Sequence, residues 1–144
     1  RYTSEKVVIS LKLSTRARYG LRITFLIGLA YDKPVSLSTL VKQTDLSEKY
    51  LGQLLIMLRK GEIVESVRGS QGGYYLSRPP EKVSVKEVLI ALGDSFEITD
   101  CVGGNCPDAY CPNRIIFKRL YDGIDNFLAS ATIGDMIKDY SCVR

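Results

Sequence analysis

At 144 residues with 45% hydrophobic side chains, the chain has the size and apolar content of one soluble domain plus an extension. No apolar run is long enough to span a bilayer, so no membrane anchoring is expected. The net charge of +4 is unevenly spread: residues 11–78 carry eleven Lys/Arg against five Asp/Glu, residues 79–144 seven against ten. A basic half beside an acidic half is the pattern of a protein that meets nucleic acid with one part only, although a merely solvated basic surface would give the same count.

Residues 1–10 show no helical period and are read as an N-terminal extension. They lack the apolar segment and cleavage site of a secretory signal, so the expected compartment is the cytoplasm, where thiols stay reduced. Ser14 and Thr15 offer an N-cap for a helix over residues 17–30, with Leu21, Ile23, Leu26, Ile27 and Ala30 as its buried stripe. Pro34 stops it. Ser36 caps a short helix over 37–43, and Thr44-Asp45-Leu46 is a tight turn. Ser47 caps a third helix over 48–59 with Leu51, Leu54, Leu55 and Leu58 inward, and Gly61 is placed as its C-terminal glycine cap. Short helix, turn and longer capped helix make a helix-turn-helix pattern.

A strand over 62–68 and a return strand over 74–77 flank a glycine-rich tip, Arg68-Gly-Ser70-Gln71-Gly-Gly, which together read as a wing. Ser84-x-x-Glu87 is a capping box that opens a helix through Leu92, closed by Gly93. A long helix over 114–130 places Ile116, Leu120, Ile124 and Phe127 on an apolar seam, read as the contact with a second copy rather than as a helix folded onto its own core. Thr132 and Asp135 begin a last short helix. The fold class expected is mainly α with a small β wing: a winged helix-turn-helix over 11–93, a cysteine loop over 94–113, and a dimerisation helix with a short terminal helix over 114–144.

The cysteine loop reads Cys101-Val-Gly-Gly-Asn-Cys106-Pro-Asp-Ala-Tyr-Cys111-Pro. Thiolates at this spacing can wrap an iron–sulfur cluster, either 2Fe-2S or 4Fe-4S, or a zinc ion, or serve as a cofactor-free redox switch. The chain contains no histidine, so imidazole cannot complete the site. Cys142, Asp100, Asp108, a residue of the partner subunit or a small exogenous ligand remain as fourth ligands. An enzyme is not expected: there is no histidine base, no phosphate-cradling glycine loop after a strand and no nucleophile motif.

Four segments carry a resemblance: Leu13-Ser-Thr-Arg-Ala-Arg-Tyr-Gly-Leu-Arg22, Tyr50-Leu-Gly-Gln-Leu54, Leu58-Arg-Lys-Gly-Glu-Ile-Val64 and Val67-Arg-Gly-Ser-Gln-Gly-Gly-Tyr-Tyr-Leu76. With the cysteine triplet, they resemble the IscR/NsrR family of winged-helix transcription regulators. The resemblance implies a homodimer on a pseudo-palindromic double-stranded DNA operator, with DNA affinity set by an iron–sulfur cluster on Cys101, Cys106 and Cys111. The chain departs from that family's pattern at Arg114, where a histidine follows the third cysteine, at Arg18, where a first-helix Asp can serve the partner's cluster, and at Gly52, where one member has an acidic residue. For the DNA contacts, Ser47, Lys49, Tyr50 and Gln53 lie in the first turns of the reading helix, with Tyr50 equally readable as core. Arg68, Ser70 and Gln71 belong to the wing. Arg16, Arg18 and Arg22 look like phosphate clamps, unless each is spent within the chain.

Overall fold

The computed structural model describes residues 12–95, 102, 108 and 110–144. The N-terminal extension therefore lies outside the described residues, as does most of the cysteine loop. Among the described residues six helices and one hairpin follow in the order α1 (Thr15–Leu29), α2 (Leu37–Thr44), α3 (Glu48–Lys60), β1 (Val64–Val67), β2 (Gly73–Leu76), α4 (Val85–Ala91), α5 (Pro112–Ser130) and α6 (Ile133–Val143). This is a winged helix-turn-helix with a long additional helix. Among the described residues no helix is long and apolar enough to cross a membrane.

The caps fall where short polar side chains satisfy orphan backbone donors. Ser14 accepts from the Ala17 N–H at 3.0 Å, Ser36 from Thr39 at 3.2 Å and Ser47 from Tyr50 at 3.2 Å. Ser84 with Glu87 and Thr132 with Asp135 form reciprocal capping boxes. The turn between α2 and α3 is made by Asp45, whose φ of 55° is left-handed, a conformation that Asp tolerates better than most residues.

All four expected leucines of α3 are buried, together with Ile23 and Ile27 of α1, Leu40 of α2, Val64 and Leu76 of the hairpin, Val88 and Leu92 at α4, and Ile133 of α6. In α1 the buried face differs from the expected stripe. Leu21, Leu26 and Ala30 are only half-buried, while Ala17, Gly20, Thr24 and Gly28 are buried. Small residues lie there because other elements cross α1 closely. A Cβ on Gly20 would collide with the Leu92 side chain, and one on Gly28 would come within 2.9 Å of Ile133 Cγ2. Thr24 keeps its hydroxyl satisfied by donating to the Gly20 carbonyl at 2.8 Å.

Gly61 is the C-cap of α3, as expected, but without the left-handed backbone that such a glycine favours. Its φ is −81°, and the left-handed residue after α3 is Glu62 at 58°. Glycine is required at 61 for another reason, since a Cβ would lie 2.5 Å from the Ala91 Cβ of α4. Gly93 does close α4 as expected, with φ 79° and its N–H on the Ile90 carbonyl.

The hairpin pairs Val64 with Leu76 and Val67 with Gly73; the first strand is shorter than the expected 62–68, and the return strand has the expected length, shifted by one residue. A third contact holds it: Val35, before α2, exchanges both backbone hydrogen bonds with Tyr74, at 2.8 and 2.9 Å. The wing is thus tied to the helix-turn-helix by main chain. The C-terminal helix is tied in the same way. Val85 N–H reaches the Ala131 carbonyl at 2.8 Å and Ile133 N–H reaches the Val83 carbonyl at 2.9 Å, which seats α6 against α1 and the 3₁₀ turn at Pro80–Lys82. At 11 residues α6 is longer than expected, and its fully buried Ile133 belongs to the winged-helix core.

Candidate nucleic-acid interface and cysteine loop

The reading helix α3 has one side in the core and the other in solvent. Lys49 and Gln53, one turn apart, are exposed on the outer side, and Ser47 is exposed at the cap. Tyr50 turns inward. It is half-buried, packs on the core and meets Tyr19 of α1 edge-on, with centroids 6.3 Å apart and rings at 90°. The alternative reading of Tyr50 as partly core therefore describes its body. Tyr19 is a residue that sequence reasoning missed, because nothing along the chain marks which helix faces Tyr50.

The wing tip exposes Arg68, Ser70 and Gln71. A cleft of about 760 Å³ separates it from the end of α1 and the start of α2, lined by Lys33, Ser36, Thr39 and Gln43 opposite Ser70 and Gln71. The structure thereby brings the wing tip beside the N-terminal end of α2, where backbone donors favour anions. The sequence assigned Ser36 only as a cap, and its hydroxyl also lies 2.8 Å from that of Thr39. On the outer side of the wing Tyr75 donates to Glu65 at 2.6 Å, and this bond holds the phenol's pKa above its usual value.

The three arginines of α1 separate. Arg22 is spent within the chain, donating to the Gln43 carbonyl at 3.3 Å near the C-terminal end of α2, which fixes the two helices to each other. Arg16 is exposed, with a guanidinium nitrogen 3.1 Å from where a Gly93 Cβ would stand, over the end of α4. Arg18 is exposed at the rim of a shallow apolar hollow with Leu21, Phe25, Met136 and Tyr140.

Of the three loop cysteines, Cys111 is among the described residues; Cys101, Cys106 and Asp100 lie outside them. Cys111 occupies the N-cap of α5, half-exposed, with no cap hydrogen bond from its side chain. A thiolate donor fits there, because its sulfur is not engaged as a cap and the positive end of the helix favours a negative charge. Among the described residues no three His, Cys, Asp or Glu side chains are grouped to hold a metal ion. Cys142 is exposed on α6, away from the side that carries Ile133, Met136 and Ile137.

The root of the loop is anchored. Asp94 accepts from the Ser14 hydroxyl at 2.6 Å and from the Ser14 N–H at 3.3 Å. The residue that leads into the cysteine loop is thus bonded to the cap of α1. No local pattern signals a contact across 80 residues of chain.

Helix α5 has no fully buried residue. Ile116, Leu120 and Phe127 are 54%, 46% and 67% exposed, and Gly123 lies in the same row with nothing within 4 Å of a Cβ. Ile124 lies at the edge of that row and is half-buried. The opposite side packs on α4: Leu128 touches the cluster of Ala17, Val85 and Leu89, and Lys86 pairs with Asp125 at 2.7 Å, which raises the Lys86 pKa.

Residues 13–139 match the Rrf2 family profile, described as an iron-dependent transcriptional regulator. The chain is similar to the HTH-type transcriptional regulator IscR of Vibrio campbellii, 32% identical over 132 residues, covering 90% of this chain and 79% of the relative. Two solved structures are similar. T. potens IscR superposes with a TM-score of 0.74 at 32% identity, covering 92% of this chain and 90% of that one. CymR, the global cysteine regulator of B. subtilis, gives 0.79 at 30% identity, covering 90% and 98%.

Proposed function

This chain belongs to the Rrf2 family of DNA-binding transcription regulators and is not an enzyme, and on that premise we propose that it acts as a cytoplasmic homodimer whose operator affinity follows an iron–sulfur cluster held by Cys101, Cys106 and Cys111. The observation that carries the DNA reading is the two-sidedness of α3. Its inner leucines are fixed in the core while Lys49 and Gln53 stand outward, beside an exposed wing tip.

Gln53 offers a bidentate contact to adenine and Lys49 a contact to guanine or phosphate in the major groove. Tyr50 and Ser47 act at the edge of that contact, Ser47 while still capping its helix. Arg68, Ser70 and Gln71 meet the minor groove or its phosphates, and Arg16 and Arg18 add phosphate contacts. Two copies joined along Ile116, Leu120, Ile124 and Phe127 set two reading helices on half-sites about 34–36 Å apart, or a multiple of this.

A cluster would supply a redox- and ligand-sensitive centre on soft thiolates. The chain's own residues provide the coupling. Asp94 holds the loop root on Ser14, Ser14 caps α1, and Tyr19 of α1 leans on Tyr50 of the reading helix. Cys111 stands at the N-cap of α5, so a cluster held by its thiolate would fix α5 against the winged core. A typical coupling of about 1–3 kcal/mol changes affinity roughly 5- to 150-fold.

The similarity to a global cysteine regulator favours a second reading, in which the same thiols respond without a cofactor. Iron and acid-labile sulfide analysis of anaerobically purified protein separates the two: a coloured, sulfide-containing sample supports the cluster, a colourless one the thiol switch or a structural zinc. Holo protein, apo protein and Cys106→Ala are then compared on one operator at fixed salt. Unequal affinities are expected; equal affinities with verified loading reject cluster control.

A further inference from the structure

Helix α3 carries a glycine that nothing within the chain requires. Gly52 is five residues into a 13-residue helix, where glycine costs about 1 kcal/mol relative to alanine. In α1 the cost has a reason: Gly20 and Gly28 are crossed so closely that a Cβ would strike a neighbour. At Gly52 a Cβ would meet nothing within 4 Å. The space is therefore open in the free protein, and what benefits from the missing side chain comes from outside it.

One turn on stands Ile56, 53% exposed, although the opposite side of the same helix is a fully buried leucine face. A single exposed isoleucine is unremarkable by itself. Its position is what matters. Lys49, Gly52, Gln53 and Ile56 are spaced i, i+3, i+4 and i+7, one face of a helix, and the spacing of side chains with which a helix lying in the major groove reads bases. Lys60 continues the face by one more turn and is exposed. The row is thus cation, gap, amide, aliphatic, cation. Cations at both ends suit phosphates or guanine, and the amide suits adenine. An aliphatic tip beside a bare stretch of backbone suits the one apolar group of the major groove, the C5-methyl of thymine.

We propose that Gly52 and Ile56 form an apolar seat for a thymine methyl group in each half-site, beside the bases met by Lys49 and Gln53. This rests on α3 being the reading helix. Gly52 lets the helix backbone approach the base edge, and Ile56 covers the methyl from the side. The chain then selects thymine over cytosine at that step without a hydrogen bond to it.

The test begins with full-length protein, purified anaerobically, selecting duplexes from a randomised pool. Each thymine of the selected half-site is then replaced by deoxyuridine in both halves, which removes only the methyl. At one position wild-type affinity is expected to fall roughly ten- to twentyfold, the equivalent of losing about one buried methylene per half-site. Ile56→Ala, at an exposed position and so neutral to folding, should bind the thymine and uracil duplexes equally. Gly52→Ala should raise thermal stability and yet bind the thymine duplex several-fold more weakly. A scan flat at every thymine, or a methyl effect that persists in Ile56→Ala, overturns the seat while leaving DNA reading by α3 intact. Failure to enrich any sequence overturns the DNA reading itself and the seat with it.

Discussion

The winged core and helix α5 solve opposite problems with similar material. In the core, aliphatic side chains from five helices and the hairpin close on one another, and α3 alone contributes four buried leucines. Along α5, 19 residues with Ile115, Ile116, Leu120 and Phe127 bury none of them fully. Apolar residues at helical spacing say that a face will be covered. They do not say by what. In the core the cover is the same chain; on α5 one side leans on α4 and the other is exposed, the surface proposed above for a second copy.

The glycines make the same distinction. Where the chain covers itself, its helix glycines are crossed by neighbours, as Gly20 is by Leu92. Gly52 and Gly123 stand open, one on the reading face and one in the row of Leu120 and Phe127. Both lie on surfaces proposed to be completed by something other than this chain.

The largest expected effect comes from charging the uncovered row. Leu120→Glu with Phe127→Glu should give folded monomers, because both side chains are exposed, and should lower operator affinity by roughly 10²–10⁴ through loss of the paired half-site. Sedimentation and operator titration read this out; an unchanged dimer mass would break the comparison. The converse change is Leu54→Ala. It leaves a cavity in a fully buried site and should cost about 2–5 kcal/mol of folding stability, measured by denaturant unfolding, without any specific effect on assembly. If it separated subunits before unfolding them, core and interface would not be the distinct regions described.

The smallest effect sharpens the boundary between the regions, at the start of α4. Partial burial pushes the Glu87 carboxyl up, but the Ser84 N–H, the Ser84 hydroxyl and Arg78 together outweigh it and hold the group below the usual glutamate range. A carboxyl depressed in the folded state adds stability above its ordinary value, and this is lost as the pH falls through the folded value. Glu87→Gln should therefore destabilise at neutral pH, by less than about 1 kcal/mol because Arg78 and Glu87 are both well exposed. The difference from wild type should shrink to nothing in acid. Thermal unfolding of both proteins across that range is the measurement, and a difference that grows in acid would contradict the assignment.

Local chemistry determined much of this protein from the sequence alone. The serine caps, both glutamate and aspartate partners at the ends of α4 and α6, the leucine face of α3 and the glycine-rich wing tip follow from spacings of three or four residues, and all appear at or within a residue or two of where they were expected. The motifs of the wing and the cysteine triplet carried the family as well. What the tertiary structure alone decided is every pairing between distant segments. Tyr50 turned inward because Tyr19 stands beside it, and Arg22 is spent because the end of α2 lies within its reach. Gly61 caps α3 but must be glycine for the approach of α4 rather than for a left-handed turn, and Asp94 reaches back to Ser14. Such contacts depend on which faces meet when helices cross. That is fixed by the packing of the whole core and leaves no periodic trace along the chain.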